Sequence, residues 1–557
     1  MSVLRSSAWM ALGTIFSRIL GFVRAILLAA MIGVTTNAAD AFGVANQLPN
    51  NVYAIIVGGV LNAVLVPQLV KAHKNADGGK DYVDRLLTLA ITVFAVITAL
   101  TLVFAPVLVS LYTSGWSADQ LALATAFAYW CLPQLFFYGL YSILGEVLNS
   151  RSHFGPFMWA PVLNNVVALA GMVAYIWIFG FDPTGQTGGG ASADWTASRI
   201  ALLAGAATAG VAAQALILFV SWRKIGLHFK PNFKWRGVGL RPALKAATWT
   251  LAMVIITQLA GIVQTAVTSI PAAARAGDLS AGTHSLEVAS VAAASIAWLI
   301  FMLPHSVFTV SIATAYFTRL TKHAHDGEMA QFKTDLADGL RLIAMVSIIA
   351  ASALMVLAYP IARVFVGEYP ATVALGNVIV ALMVGLLPFS FNFFMQKAFY
   401  AIEDTKTPFF ITLTQCVVLV AGLLIIANTV PAQNLVVAVS LMVSGSIALQ
   451  ATLAALTLKK RIGSFAQGLV LRFAKFIVAA AIAAATSLAV LQLLGGTGEG
   501  SYALSSVVSA VIVSGISAAV MGLVFLVVLR LVRAPEGKEI LSFVTRALQR
   551  IRGMLRR

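Results

Sequence analysis

Charge is scarce in this chain. Only 10% of its 557 residues are Asp, Glu, Lys or Arg, against 60% hydrophobic residues, and its mean hydropathy is +0.91. A soluble chain of this length cannot hide so much apolar surface in a core, so a water-soluble fold is excluded. Cysteine is equally rare: Cys131 and Cys416 both fall inside apolar runs, which offers neither a disulfide framework nor a Cys-ligated metal site. Acidic residues number 20 against 37 Lys and Arg, a formal net charge of +17. That balance does not point to nucleic acid, because the basic residues sit in short segments between apolar runs, as membrane-topology signals do. Enzyme templates are missing too. The sequence holds no Walker loop, Rossmann glycine pattern or His-rich metal spacing. The longest connector of the weakly charged set, around Gly185–Trp195, carries only Asp182 and Asp194. The expectation is therefore a non-enzyme without a cofactor, whose work draws on an ion gradient, the membrane potential or consumption of product.

What remains is a succession of apolar runs, each near the roughly 20 residues that span a bilayer. They fall at 7–33, 41–70, 86–112, 119–149, 157–180, 197–222, 244–271, 285–318, 337–365, 371–402, 408–428, 433–458, 469–495 and 503–532. Arg18 and Arg24 interrupt the first run, so it reads as a retained helix rather than a signal peptide. Basic connectors (71–85, 223–245, 319–341, 459–475 and the tail) alternate with connectors poor in Lys and Arg. By the positive-inside rule both termini face the cytoplasm, and the fold class is an all-α, multi-pass membrane protein of about 14 helices. Segment 536–557 sets Ile540, Phe543, Val544, Ala547 and Ile551 among arginines at near-helical spacing, as expected of a basic amphipathic helix on an anionic leaflet.

The prolines carry a further pattern. Pro49 and Pro304 differ by 255 positions, Pro106 and Pro360 by 254, Pro133 and Pro388 by 255, and Pro156 and Pro408 by 252. The offset spans six helices, so both copies enter the membrane in the same sense, a parallel repeat of two lobes. The resulting division is an N-terminal lobe over 1–222, a basic cytoplasmic linker over 223–243 and a C-terminal lobe over 244–458. Two added helices over 459–532 and a basic tail over 533–557 complete it.

Several charges lie where the bilayer penalises them. Arg18 and Arg24, six residues apart, are separated by about 9 Å of rise and about 120° of turn, so both can border one cavity at different depths. The planar guanidinium fork suits phosphate. Asp40 opens the second helix, where its carboxylate can cap backbone N–H groups or take part in gating. Glu146 and Lys397 occupy near-equivalent places in the two repeats and form a candidate gating pair, with ordinary interfacial charges as the alternative. His305, after Pro304, is read either as packing or as a polar site residue.

Local sequence then resembles a known family, the MurJ/MviN lipid II flippases of the MOP transporter superfamily. The resemblance rests on Phe16-Ser17-Arg18-Ile19-Leu20-Gly21-Phe22-Val23-Arg24, Asp40-Ala41-Phe42, Leu48-Pro49-Asn50 and Ala160-Pro161-Val162-Leu163-Asn164-Asn165. Phe399-Tyr400 with Asp404-Thr405-Lys406-Thr407-Pro408 extends it into the second half. It implies a flippase for lipid II, the undecaprenyl-pyrophosphate-linked peptidoglycan precursor, working by alternating access in a bacterial cytoplasmic membrane. Arg18 and Arg24 would bind the substrate, Asp40 would assist opening or closing, and a groove beside the last two helices would hold the prenyl tail. Anionic lipids and cell-wall synthases or the divisome are the implied partners. Asn51, Val52 and Tyr53 stand where family members often carry an arginine, Trp298 and Leu299 stand at another such stretch, and Ala25 replaces an acidic residue. Either the substrate is another polyprenyl-linked glycan, or the site is rebuilt from Gln47, Asn51, Gln258, Gln264 and His305. A MATE-like cation antiporter and a non-transporting cell-wall scaffold are the readings from other classes.

Overall fold

A computed structural model describes residues 3–57, 80–151, 153–181, 195–226, 229–234, 240–280, 288–465 and 468–533; of 3–11, 240–247 and 278–280 it describes the backbone alone. The loop lysines Lys71 and Lys74, the acidic pair Asp182 and Asp194, and the expected tail helix over 536–557 lie outside the described residues.

All described elements are helices. In chain order they begin with α1 (Val3–Ile32), α2 (Asn37–Ile56), α3 (Lys80–Val103), α4 (Ala105–Leu111), α5 (Ala118–Cys131), α6 (Gln134–Ser150), α7 (Phe154–Phe179) and α8 (Ala197–Lys224). They continue with α9 (Leu240–Ser280), α10 (Val291–Pro304), a π-helical turn (His305–Thr309), α11 (Val310–His325), α12 (Met329–Val356) and α13 (Ala358–Phe365). After these come α14 (Tyr369–Met383), α15 (Leu386–Ala401), α16 (Lys406–Thr429), α17 (Ala432–Ile462), α18 (Leu469–Leu493), α19 (Tyr502–Ser505) and α20 (Val507–Leu531). Among the described residues 12 helices are long and apolar enough to cross a membrane, or 13 if the α14–α15 pair, bent by 42°, is one span. The second expected span coincides with α2 and then runs into 58–79, outside the described residues.

Helix starts follow from the caps. Thr36, Ser117, Thr196 and Ser506 each accept a hydrogen bond from a backbone N–H of the first turn of the helix they precede. The repeating prolines land at matching places along the chain. Pro106 and Pro360 open the short helices α4 and α13, Pro133 and Pro388 lie at the α5–α6 and α14–α15 breaks, and Pro156 and Pro408 lie in the first turns of α7 and α16. Each removes a backbone donor where a helix starts or bends. Pro49 is buried inside α2, and Pro304 ends α10 immediately before the π turn.

Two compact units emerge. The first comprises Met1–Ser295 with Phe365–Gly367 and Leu419–Val439. Its core gathers Phe42, Leu123, Phe127, Tyr175 and Leu203, with a second cluster around Leu87, Phe94, Leu144 and Trp222. It reaches beyond the lobe expected to end at 222, because α9 is tied into it. Trp116 Nε1 donates to the Ser269 carbonyl at 3.1 Å and Gln120 Nε2 to the Ala272 carbonyl at 3.1 Å. The second unit comprises Ile296–Val364, Glu368–Val418 and Ser440–Arg557. In it α18 and α20 pack through small residues, with Ser487 Oγ donating to the Ser517 carbonyl at 3.1 Å, and Phe476 and Phe525 meet Met345 of α12.

The surface is apolar where a soluble protein would be polar. Trp177 and Leu493 are each 86% exposed and Val470 is 77% exposed. Patches of this kind need lipid rather than water. The chain is a multi-pass membrane protein.

Candidate functional site: a polar wall in the first unit

The site is built on α1, which packs along α7. Asn165 Nδ2 donates to the Ser17 carbonyl at 2.9 Å, and Phe16 stacks on Trp159 with centroids 6.3 Å apart. Ser17, Gly21 and Arg24 recur at four- and three-residue steps and so share one face of α1. Gly21 leaves that face open beside Asn165, where an added Cβ would meet Nδ2 at 3.7 Å. Arg24 is half-buried about 12 Å from the Ile32 end of α1, near the depth of a bilayer centre. Its charge reaches Cys131 and Tyr138, and among the described residues it has no ion pair. Arg18 is half-buried too, rotated about 120° from Arg24. The two arginines therefore face different directions, and only Arg24 shares the face of Ser17 and Gly21.

Polar groups line α2 and α6, with Tyr138 of α6 within reach of the Arg24 charge. On α2, Asn46, Gln47, Asn50 and Asn51 sweep an arc of about 140°. Asn46 Oδ1 accepts from Gln134 Nε2 at 3.2 Å, Gln47 Nε2 donates to Thr265 Oγ1 at 3.5 Å, and Asn51 Nδ2 donates to the Tyr112 hydroxyl at 3.2 Å. Asn50, between these two directions, is exposed beside Tyr138. On α6, Gln134, Tyr138, Ser142 and Glu146 recur every four residues. Tyr138 donates to Gln134 Oε1 at 3.1 Å, and Ser142 bonds the Tyr53 hydroxyl. Glu146 is half-buried at the end of this ladder, near Tyr53.

At the far end of α2 lies a closed charge cluster. Asp40 is fully buried and does not cap its own helix, a role taken by Thr36, whose Oγ1 accepts from Ala39 N at 3.1 Å. Its carboxylate instead accepts from Ala292 N, in the first turn of α10, at 2.9 Å and from Arg275 Nη2 of α9 at 2.5 Å. Arg275, only 3% exposed, also donates to Asn37 Oδ1 and to the Val288 carbonyl. Asp40 thus ties α2, α9 and the start of α10 together within the first unit. In the sequence Arg275 is legible only as a lone basic residue in a connector otherwise poor in Lys and Arg. The ladder on α6 does leave a signal there, its four-residue spacing.

Gln258 and Gln264 on α9 are half-buried; Gln258 lies two turns from Thr265 on the same face. The remaining expected site residues belong to the second unit. His305 is 3% exposed: its Nδ1 pairs with Ser390 Oγ at 3.2 Å, and its ring meets Phe389 and Phe393 at 4.6 and 5.1 Å. This is an internal hydrogen bond of Nδ1 within aromatic packing. Lys397 Nζ lies over the rings of Phe317 and Phe393 at 5.2 and 5.7 Å, a cation–π seat for its ammonium. Trp298 stacks on Phe301 at 5.1 Å, an apolar seat in place of the expected arginine.

Solved structures share this helical membrane fold. An outward-facing multidrug resistance MATE family transporter of the MOP superfamily matches with a TM-score of 0.55 at 15% identity, covering 83% of this chain and 96% of that one. A lipid II flippase MurJ in an inward closed conformation matches with a TM-score of 0.68 at 19% identity, covering 92% and 98%. The family model described as lipid II flippase MurJ matches residues 28–533, and the chain belongs to that family. Relatives named probable lipid II flippase MurJ include one from Buchnera aphidicola subsp. Acyrthosiphon pisum, 26% identical over 73% of this chain and 75% of its own length. Another, from Haemophilus influenzae, is 24% identical over 71% and 75%.

Proposed function

We infer that this chain translocates lipid II from the inner to the outer leaflet of a bacterial cytoplasmic membrane, with both termini cytoplasmic. Family membership over residues 28–533 supplies the substrate, and Arg24 is the observation in the molecule that carries the reading. An arginine without an ion pair at mid-bilayer is costly, from roughly 2.5 kcal/mol on insertion scales to far more in simulations, unless a cavity and a ligand use it. Its fork can pair bidentately with a phosphate oxygen pair. Arg18, about 9 Å away along the helix, serves the same anion from a second direction or receives it at another stage.

The same fold is known in outward-facing and inward-facing MATE transporters, which supports alternating access. Asp40 is the gating candidate on the first unit: its bonds to Arg275 and Ala292 fix the ends of α2, α9 and α10 to one another. Glu146 and Lys397 remain the second gating candidates. The prenyl tail runs beside α18 and α20. Anionic lipids and cell-wall synthases are the partners.

Depletion tests the reading. In cells whose flippase is depleted and replaced by this chain, lipid II becomes accessible to an externally added lipid II-cleaving toxin. Continued inaccessibility, with the protein present in the membrane and no second flippase, overturns it.

A further inference from the structure

Resting on the lipid-flippase reading above, we propose that the α2 wall is a glycan-reading subsite, in which Asn50, flanked by Asn46, Gln47 and Asn51, recognises the sugar part of the substrate while Arg24 takes the phosphate. Four carboxamides on one arc of a membrane helix are expensive unless they face water or a polar ligand, because hydrocarbon satisfies none of their donors or acceptors. Three of them are already engaged: Asn46 with Gln134, Gln47 with Thr265 and Asn51 with Tyr112. These bonds fix the arc in place. Asn50 is different. It is exposed about 20 Å along α2 from Asn37, adjoins the Tyr138 hydroxyl, and its Nδ2 reaches the Asn46 carbonyl only at a long 3.5 Å.

The chemistry selects the ligand class. A carboxamide both donates and accepts, which matches hydroxyl and N-acetyl groups and supplies no charge for phosphate. Counted from the connection between α1 and α2, Arg24 and Asn46 lie at similar depths, about 12 and 14 Å, and Asn50 about one turn beyond Asn46; Tyr138 adjoins Asn50 and lies within reach of the Arg24 charge. A phosphate on Arg24 leaves the sugar attached to it to span the remaining distance, about 8 Å along α2, to Asn50. The stretch Asn51-Val52-Tyr53, in the place of an expected arginine, continues the neutral surface. Specificity here comes from hydrogen bonds to the glycan, with anion recognition left to α1.

The test compares two lipids that share the pyrophosphate and the prenyl tail, lipid II and undecaprenyl pyrophosphate, binding to the full-length protein in lipid nanodiscs. The wild type binds lipid II more tightly. Asn50→Ala weakens lipid II about three- to tenfold, the range of one or two neutral hydrogen bonds, and leaves undecaprenyl pyrophosphate unchanged. Asn50→Ser, which keeps a donor and an acceptor, retains part of the preference and stands in if the alanine variant misfolds. Arg24→Ala weakens both lipids. An Asn50 variant that weakens both lipids alike, or neither, overturns the glycan subsite and leaves the flippase reading standing. Wild-type protein that binds neither lipid overturns both.

Discussion

At Asp40 and Arg275 a fully buried carboxylate meets a guanidinium that is 3% exposed, so the pair has no solvent to fall back on. Removing one partner leaves an uncompensated charge, which typically costs about 3–5 kcal/mol, whereas removing both costs less. Arg275→Ala is therefore expected to lower the thermal unfolding midpoint sharply, and Asp40→Asn in the same chain to recover part of the loss. Thermal unfolding of Arg275→Ala, Asp40→Asn and the double variant in one detergent measures this; a double variant as unstable as the two single losses added together contradicts the coupling. Asp40 can be singled out in the sequence because it opens a helix, but its partners cannot, since Arg275 lies 235 positions away and the Ala292 amide carries no sequence signal. Arg18 and Arg24 are legible as charges in an apolar run with different facings, yet which face of α1 lies along α7 is shown only by the packing of Ser17 and Gly21 against Asn165. His305 reads ambiguously in sequence, and its neighbours Ser390, Phe389 and Phe393 leave no sequence signal.

Between elements, α7 and α8 come close at Gly210. A Cβ added there would stand 2.5 Å from Asn164 Oδ1 and 2.7 Å from the Asn164 carbonyl oxygen, and that backbone atom cannot swing aside. Gly210→Ala is expected to destabilise by about 1–3 kcal/mol, the usual cost of overpacking, while Gly261→Ala, with nothing within 4 Å, stays near neutral. Equal unfolding midpoints for both variants would count against this packing. Small residues at such crossings are what membrane helices use to come close. The apolar runs make the helices readable and the basic connectors make their alternation readable. Breaks at Pro133 and Pro388 are visible as prolines but not as the ends of separate helices, because a proline inside a membrane helix can also merely kink it.

Across the whole molecule, the apolar runs make an all-α multi-pass membrane fold legible in the sequence alone, and the motifs from Phe16 to Pro408 point to the family. The compact units are less legible: α9 follows the linker in sequence but joins the first unit through Trp116, Gln120 and Asp40. Long-range hydrogen bonds of that kind leave no periodic trace. The proposed function turns on Arg24 holding the phosphate of a lipid-linked substrate beside a hydrogen-bonding wall. The most direct test expresses Arg24→Ala, at wild-type membrane levels, in cells depleted of their own flippase, and follows both growth and lipid II exposure at the outer face. Wild type is expected to restore both and the variant to restore neither. Full rescue by a correctly inserted Arg24→Ala would contradict this role and make the charge structural.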